Sequence, residues 1–562
     1  MDSKNVLFAV ILSSIVLVVW AIFFEAPPVQ KNTVGKKVEK INDEDVPSPS
    51  LENNVSINTI SRDESINKTK RIKVENSNLK GSISTTGAII DDIIFKNYNE
   101  KLNNDKKVIF LNPKDSKNGY YIETGWVSEP GKNIELPSSS TQWKIKGNNT
   151  LTSVSPVTLE WDNGQNLTFI KKIEMDDKFL FKITQSVNNK SNNSLNLYPY
   201  AQITRNYKPE VTPIYILHEG FIGVFDEQLK EEDYDDIEKQ KFSTTNFEGW
   251  LGITDKYWLT AIVPENGKKF KSEFLSKDKK YKANFIMADP VTINPNETVK
   301  SEMKAFTAVK EVAAIDGYAQ ELNIKKFDLA IDWGWFYFFT KPLFFVIDYF
   351  FKLTGNFGVA IVILTALIRL VFFPLANYSF RSMAKMKLLQ PEMIRLKELY
   401  KDDKPKLQQE MMSLYKKEKV NPVSGCLPVL IQIPFFFAIY KMLFVTIEMR
   451  HQPFFGWIQD LSARDPSTVF NLFGLIPWDP PSFLIIGAWP ILMGLSMFLQ
   501  QKLNPTPPDP IQAKIFMFFP IFLTIILAPF PSGLVVYWTI SNVLTIAQQW
   551  VIMRGTKVKT VR

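Results

Sequence analysis

The sequence predicts a polytopic α-helical membrane protein with six transmembrane helices, five of them in one core, and a large antiparallel β-sandwich domain outside the membrane. Three observations predict this fold class. Apolar segments near the ~20 residues that cross a bilayer occur at the N-terminus and again after residue 357. Between them lie short runs with strand patterning. Lysine and arginine are divided unevenly among the loops, which fixes an orientation.

Composition narrows the chemistry that the chain can perform. A net charge of +8 suits an anionic membrane surface, nucleic acid or an acidic partner. The single cysteine, Cys426, excludes an intramolecular disulfide, and the two histidines, His218 and His451, give little material for a metal site. The sequence has no Walker lysine motif, Rossmann fingerprint or zinc-protease signature. We therefore expect no enzyme activity, no cofactor and no metal.

The N-terminal part is predicted to contain an anchor, a linker and a β domain. Residues 1–25 form an uncleaved transmembrane anchor, because the apolar stretch is longer than that of a signal peptide and no small-residue cleavage site follows it. Residues 26–76 are rich in Asn, Lys, Ser, Glu and Pro, which predicts a flexible linker. Residues 77–325 alternate apolar and polar side chains between turns and predict the β sandwich.

An aromatic-rich segment separates the β domain from the helical core. It is nearly long enough to span a membrane, but Lys341, Pro342 and Asp348 interrupt it. If it crossed, the most basic loop of the chain would lie outside. We therefore predict that 326–356 is an amphipathic helix lying on the outer leaflet.

Residues 357–550 are predicted to form the core of five transmembrane helices. Between the first two spans, 378–419 has helical periodicity on both sides of a Lys-Asp-Asp-Lys-Pro break, which predicts a helical hairpin. A short basic tail, 551–562, ends the chain. The apolar spans are 357–376, 423–446, 483–499, 511–529 and 532–550.

The loops carry charge in a pattern that orients the protein. Residues 377–421 contain eleven Lys or Arg against six Asp or Glu, whereas 447–482 contain two against four. The tail has four basic residues and no acid. Because cytoplasmic loops accumulate Lys and Arg, the hairpin and both termini are predicted to be cytoplasmic. The β domain then lies on the opposite side of the membrane.

A charged side chain, Arg369, lies within the first core span, where a guanidinium costs about 2.5–3.5 kcal/mol at mid-bilayer. Two interpretations are open: the side chain extends to the cytoplasmic surface, or it lies in a hydrated groove. Polar residues in the spans would also suit ordinary interhelical hydrogen bonds, but the charge favours the groove. These polar residues are Thr365, Gln432, Thr524, Tyr537, Ser541, Thr545 and Gln548.

The hairpin is basic and rich in methionine. Flexible thioethers adapt to varied apolar segments, which predicts a binding surface on this hairpin. The alternative is that the methionines only hold its two helices together. Its charge would attract anionic lipid or ribosomal RNA. The predicted surface consists of Met383, Lys385, Met386, Lys387, Met411 and Met412.

Five motifs together resemble the YidC/Oxa/Alb insertase family. The resemblance is continuous over about 327–554, and the preceding domain is similar in position, length and β character to the periplasmic domain of Gram-negative members. The motifs are ILTALIRL (363–370), SMAKMKLLQPEM (382–393), QQEMMSLYKKEKVNPVSGCLPVLIQIPFF (408–436), DLSARDP (460–466) and PSGLVVYWTISN (531–542).

The resemblance implies a membrane protein insertase and folding chaperone of the bacterial inner membrane, with the β domain in the periplasm. It implies a groove open to cytoplasm and lipid, with Arg369 at its centre. Its partners would be client membrane proteins and lipids, with the Sec translocon and the ribosome as candidates, and no small-molecule substrate. The resemblance also implies that Thr365, Tyr537 and Trp538 line the groove and that Ile433 and Pro434 lie along the client path.

Two other classes of function remain as alternatives. A small-solute transporter would also carry an intramembrane charge, but the sequence has no internal repeat and no Gly/Pro-broken helices in matching halves. A membrane-anchored carbohydrate-binding β domain would place the function within about 80–300. A solute flux assay and deletion of that domain distinguish these alternatives from an insertase.

Overall fold

The computed structural model describes a β region followed by a helical region, all within one compact unit, Ser48–Arg562. The predicted anchor 1–25, most of the predicted linker and the end of the basic tail lie outside the described residues. The described residues are 60–132, 134–210, 217–334, 336–420, 427–478, 480–481, 484–504 and 510–555.

The β region consists of two sheets, and the named pairings are antiparallel except that Arg71–Glu75 pairs in parallel with Thr150–Leu151. The 11-stranded sheet runs in spatial order β14 (Phe242–Asn246), β17 (Phe270–Lys277), β18 (Lys280–Met287), β11 (Leu195–Arg205), β5 (Tyr120–Ser128), β3 (Ile89–Asn99), β2 (Leu79–Ser84), β1 (Arg71–Glu75) and β7 (Thr150–Leu151), with β19 (Val291–Ile293) beside β11 and β4 (Lys107–Leu111) beside β3. The 9-stranded sheet runs β13 (Gln228–Glu232), β12 (Gly220–Phe225), β15 (Gly249–Thr254), β16 (Trp258–Val263), β20 (Thr298–Val309), β10 (Leu180–Asn189), β9 (Leu167–Met175), β8 (Val157–Asp162) and β6 (Lys144–Lys146).

The predicted β sandwich is confirmed, and its core follows from side-chain alternation. Along β9, the apolar residues Phe169 and Ile173 are fully buried, while Ile170 and Lys172 between them are only partly buried. Phe181 from the same sheet and Ile203 from the other sheet belong to one hydrophobic cluster. Apolar side chains from both sheets therefore fill one interior.

Two predicted boundaries of this region are wrong. The linker predicted over 26–76 ends earlier, because 62–68 form a helix and Arg71–Glu75 form a strand. The alternation of polar and apolar residues in RIKVE (71–75) indicates a strand, although the composition around it is that of a linker. The predicted interfacial helix 326–356 begins later, at Tyr337, because a 3-10 turn at Phe327–Ala330 packs against the sandwich. There the ring of Phe327 lies 5.1 Å from that of Trp250.

Eleven α-helices are found among the described residues, and each predicted core span overlaps one of them. The helix Phe357–Val371 begins where Asn356 accepts a hydrogen bond from the N–H of Val359 at 3.1 Å, and the helix Lys404–Lys417 begins where Asp403 accepts one from the N–H of Lys406 at 3.1 Å. The helices are α1 (Arg62–Lys68), α2 (Tyr234–Lys239), α3 (Val312–Glu321), α4 (Tyr337–Thr354), α5 (Phe357–Val371), α6 (Phe373–Leu399), α7 (Lys404–Lys417), α8 (Leu427–Val445), α9 (Ala488–Leu503), α10 (Pro510–Leu527) and α11 (Ser532–Gly555).

The chain bends sharply between α5 and α6. The two helices meet at 68°, and Pro374 lies in the first turn of α6. Because proline has no N–H to donate, α5 cannot continue through this position. By length and hydropathy, this bent pair meets the criterion for a membrane span jointly, and no single helix within the described ranges meets it alone.

A buried ion pair joins the C-terminal half of α8 to Asp332, which lies between the 3-10 turn and α4. Lys441 Nζ donates to Asp332 Oδ2 at 2.7 Å, and that oxygen also accepts from the backbone N–H of His218 at 3.0 Å. Burial alone would raise the pKa of Asp332, but Lys441 and these hydrogen bonds hold it below its ordinary value. The carboxylate is therefore charged at neutral pH and needs its cation.

A second set of contacts lies just beyond α8. Glu448 Oε1 accepts a hydrogen bond from the backbone N–H of Val312 at 2.7 Å, at the start of α3. Arg450 Nη2 donates to the carbonyl oxygen of Asn99 at 2.7 Å, and its guanidinium lies 5.6 Å from the ring centre of Trp258. The sandwich and the helical region are thus joined through the side chains of Glu448 and Arg450.

Glu448 predicts a pH dependence of stability. Burial raises its pKa from the ordinary value of 4.5 to about 7, and no hydrogen-bond partner of Oε2 exists within the described residues. The folded state therefore holds a proton that the unfolded chain releases, so the free energy of unfolding falls as pH rises from about 4.5 to about 7. We expect Glu448→Gln to flatten thermal unfolding measured against pH and to gain roughly 1–3 kcal/mol at about pH 8. Parallel curves for the two proteins would contradict this.

Candidate functional site

A pocket opens among α5, α6, α8 and α11, and Arg369 lies in its wall. Arg369 is four residues after Thr365 on α5, so both side chains lie on one helix face. The facing wall is formed by α11, whose lining residues are separated by four and seven positions: Tyr537, Ser541 and Gln548. The lining residues are Thr365, Ile368, Arg369, Phe372, Leu375, Ala376, Gln432, Phe435, Tyr537, Ser541 and Gln548.

Arg369 is held by a triangle of hydrogen bonds. Its Nη2 donates to Gln432 Oε1 at 2.9 Å and to Ser541 Oγ at 2.6 Å. Gln432 Nε2 in turn donates to the same Ser541 hydroxyl at 3.1 Å. Three helices therefore converge on one guanidinium, which points into the pocket instead of along α5 towards the helix end.

The charge of Arg369 lacks a counter-ion within the described part of the chain. Both of its hydrogen-bond acceptors, Gln432 and Ser541, are neutral, and the described lining of the pocket includes no carboxylate. Gln548 Oε1 is also buried there, without a hydrogen-bond partner among the residues described. A pocket with a free positive charge and an unused acceptor suits water and an incoming acidic or polar peptide segment.

The hydroxyl groups of Thr365 and Thr545 are less available to a ligand than the sequence suggested, because they donate within their own helices. Thr365 Oγ1 donates to the carbonyl of Ile361 at 2.7 Å, and Thr545 Oγ1 donates to the carbonyl of Ser541 at 2.6 Å. Tyr537 is 2% exposed and forms part of the wall. The polar surface of the pocket is therefore concentrated on Arg369, Gln432, Ser541 and Gln548.

Four residues predicted to line the groove lie outside this pocket. The ring of Trp538 packs on Phe436 with centroids 4.7 Å apart. Thr524 donates to the carbonyl of Pro520 at 2.8 Å within α10. Ile433 and Pro434 follow Gln432 on α8 but do not line the pocket, and Ile433 is 39% exposed on the helix surface.

The wall of the pocket also contains apolar residues, which a pattern of polar side chains does not reveal. Phe372 and Phe435 form part of the wall, with their ring centroids 5.3 Å apart. Each lies three residues after a polar lining residue, Arg369 and Gln432 respectively. Helical spacing from those two residues would have identified them.

Some residues of the predicted hairpin surface are exposed in the structure, and others are buried or partly buried. Met383 is buried with Ala376, Phe380 and Ile552, so its placement on an exposed binding surface is wrong. Its side chain packs the base of α6 against α11. Met386 and Met411 are partly buried, and the exposed members of the predicted surface are Lys385, Lys387 and Met412.

Methionine also holds the hairpin together. Tyr415 Oη of α7 donates to Met393 Sδ of α6 at 3.8 Å, and Met393 is buried. This contact matches the alternative interpretation of the methionines. The basic face with Lys385 and Lys387 remains available to a partner.

Comparisons with known proteins cover nearly the whole chain. The family described as "YidC periplasmic domain" matches residues 71–346, and the family described as "60Kd inner membrane protein" matches residues 349–560. A protein of Pelagibacter ubique named membrane protein insertase YidC is 56% identical over 563 residues and covers 100% of both chains. One of the same name from Methylorubrum extorquens is 44% identical, covering 99% of this chain and 96% of its own length. A solved structure described as an active YidC insertase is 17% identical with a TM-score of 0.35, covering 85% of this chain and 92% of its own.

Proposed function

The chain belongs to the YidC family of membrane protein insertases, and from this premise we propose that it inserts client proteins through the pocket around Arg369. Membership implies a place in the bacterial inner membrane with the β sandwich in the periplasm. The observation that carries the proposal is the guanidinium of Arg369, which is held by two neutral acceptors and faces a pocket.

The proposed topology has six spans, with both termini in the cytoplasm. The N-terminal anchor and helices α5, α8, α9, α10 and α11 cross the membrane, and α4 lies on the outer leaflet. The excess of Lys and Arg in 377–421 supports this orientation. Helix α10 exposes large apolar side chains, among them Phe518 at 59% and Ile521 at 58%, which suits contact with lipid.

In the proposed mechanism, the pocket admits water and the polar tail of a client from the cytoplasmic side. Water within the core shortens the hydrocarbon that the tail must cross, which lowers the cost of translocation. Acidic residues of the tail pair transiently with Arg369, while Gln432 and Ser541 keep its guanidinium directed into the pocket. The membrane potential contributes about 2.3 kcal/mol per charge per 100 mV.

Release of the client follows from lipid partitioning. The apolar segment of the client leaves between α8 and α10, along the partly exposed Ile433 and Pro434. No covalent step is required. The exposed Lys385, Lys387 and Met412 of the hairpin form the proposed contact surface for an emerging client or the ribosome, and the Sec translocon is a second proposed partner.

Protease protection in proteoliposomes tests this function directly. A single-span client with an acidic tail is added to vesicles that hold the full-length protein, and the tail is expected to become protected from external protease. Empty vesicles, and vesicles with the protein inactivated by heat, provide the matched controls. Protection equal to that of empty vesicles would contradict autonomous insertion.

A further inference from the structure

A surface of large apolar side chains lies in the segment between α8 and α9, away from the pocket around Arg369. We name residues 469–478 the apolar loop. No charged residue occurs between Asp465 and Asp479. Exposed apolar residues are common singly, but a cluster of this density marks a binding surface. Its exposed members are Phe470 (42%), Leu472 (53%), Phe473 (57%), Leu475 (83%), Ile476 (43%) and Trp478 (45%).

The apolar loop has a defined backbone. The N–H of Phe473 donates to the carbonyl of Thr468 at 2.9 Å, and the N–H of Ile476 donates to that of Asn471 at 3.0 Å. Leu472 and Phe473 both have left-handed φ angles, 49° and 58°. Bulky side chains rarely adopt this conformation, so the turn holds apolar groups outward against local preference.

The base of the apolar loop is fixed to neighbouring elements. Asp465 accepts hydrogen bonds from Trp457 Nε1 at 3.0 Å and from the backbone N–H of Trp489, in the first turn of α9, at 2.9 Å. Thr468 Oγ1 donates to the carbonyl of Leu484 at 3.1 Å. The loop is therefore held a short distance from the start of α9.

The same base continues to the face of α4. The ring of Phe454 lies 5.9 Å from that of Trp489, and Asn356 Nδ2, at the joint of α4 and α5, donates to the carbonyl of Phe454 at 3.5 Å. Helix α4 exposes Phe345 at 48% and Tyr349 at 59%. Two apolar surfaces thus lie on the same end of the helical region.

We propose that the apolar loop inserts its side chains into the outer leaflet of the lipid bilayer, as a second interfacial anchor beside α4. This rests on the proposed topology, because α9 can bring the loop to the bilayer surface only if α9 enters the membrane. Tryptophan and phenylalanine are preferred at the membrane interface, and the loop has no charge to desolvate. A protein partner would be expected to require more polar groups than this loop offers.

Site-directed spin labelling measures the depth of the loop. In full-length Cys426→Ser protein, Leu475→Cys carries a nitroxide, and the protein is reconstituted in vesicles of phosphatidylethanolamine and phosphatidylglycerol. Frequent collision of the nitroxide with oxygen indicates that it is exposed to lipid, and frequent collision with a water-soluble Ni(II) complex indicates that it is exposed to water. Val154→Cys, at a β-domain position 91% exposed, is the aqueous reference, and Phe518→Cys on α10 is the lipid reference.

The expected result is that the label at residue 475 meets the Ni(II) complex severalfold less often than the label at residue 154, with oxygen collisions near those at residue 518. Aqueous values at residue 475 with lipid values at residue 518 would overturn the inference and leave the proposed function intact. Aqueous values at both sites would overturn the inference together with the proposed topology. Shielding of residue 475 from both reagents would also overturn it, because a protein surface would then cover the loop.

Discussion

Replacing Arg369 with alanine is expected to lower insertion of an acidic-tailed client by about tenfold to about a hundredfold. A hydrogen bond to a charged group contributes about 1.5–3 kcal/mol, and each 1.4 kcal/mol is about tenfold in an equilibrium. In Arg369→Ala the pocket keeps Gln432 and Ser541 but has no cation to receive the tail. The measurement is protease protection at equal amounts of reconstituted protein.

Two controls separate charge from structure. Arg369→Lys keeps the charge but not the planar fork of donors, so we expect an intermediate loss. A client whose tail lacks acidic residues should be much less sensitive to Arg369→Ala. The thermal midpoint in detergent should change little, because both acceptors of Arg369 are neutral and its removal leaves no buried charge unpaired. Equal losses for acidic and neutral tails would show that Arg369 serves the structure alone.

Replacing Lys441 with methionine is expected to destabilise the protein by about 3 kcal/mol, because it leaves the carboxylate of Asp332 buried without its cation. The two side chains are only 12% and 18% exposed, so solvent screens the pair little. The measurements are thermal unfolding in detergent and hydrogen exchange at residues 427–445. Faster exchange in α8 should accompany the loss.

A double substitution provides the decisive comparison. Lys441→Met combined with Asp332→Asn removes both charges and should recover most of the lost stability. Lys352→Met breaks an exposed pair with Asp348 and should cost less than about 0.5 kcal/mol, since the Lys352 side chain is 72% exposed. A double variant no more stable than Lys441→Met alone would assign the effect to lost packing of the lysine stem.

Much of the fold was readable from the sequence because local patterns determined it. The alternation in LTFIKKI (167–173) predicts a strand, and β9 covers it. The Lys-Asp-Asp-Lys-Pro break predicts the end of one helix and the start of another, and α7 begins within it, at Lys404. Arg369 was found because a charge within an apolar helix is rare.

Long-range geometry was not readable in the same way. Nothing in the sequence indicates that Thr365 bonds its own helix, because that depends on its rotamer. Trp538 lies beside Tyr537, which lines the pocket, yet packs on Phe436 because one residue turns a helix face by about 100°. The ion pair of Lys441 with Asp332 joins residues far apart in sequence. Only the tertiary structure brings them together.

Helix α8 connects the ion pair of Lys441 with Asp332 to the pocket around Arg369. Gln432 and Lys441 lie nine positions apart on it, about 2.5 turns, so they project from opposite sides of the cylinder. The ion pair of Lys441 with Asp332 therefore sets the rotation of α8 at which Gln432 meets Arg369. A slip of one residue would swing that amide away by about 100°. Through the rotation of α8, a contact near the sandwich thus determines how the pocket holds the guanidinium of Arg369.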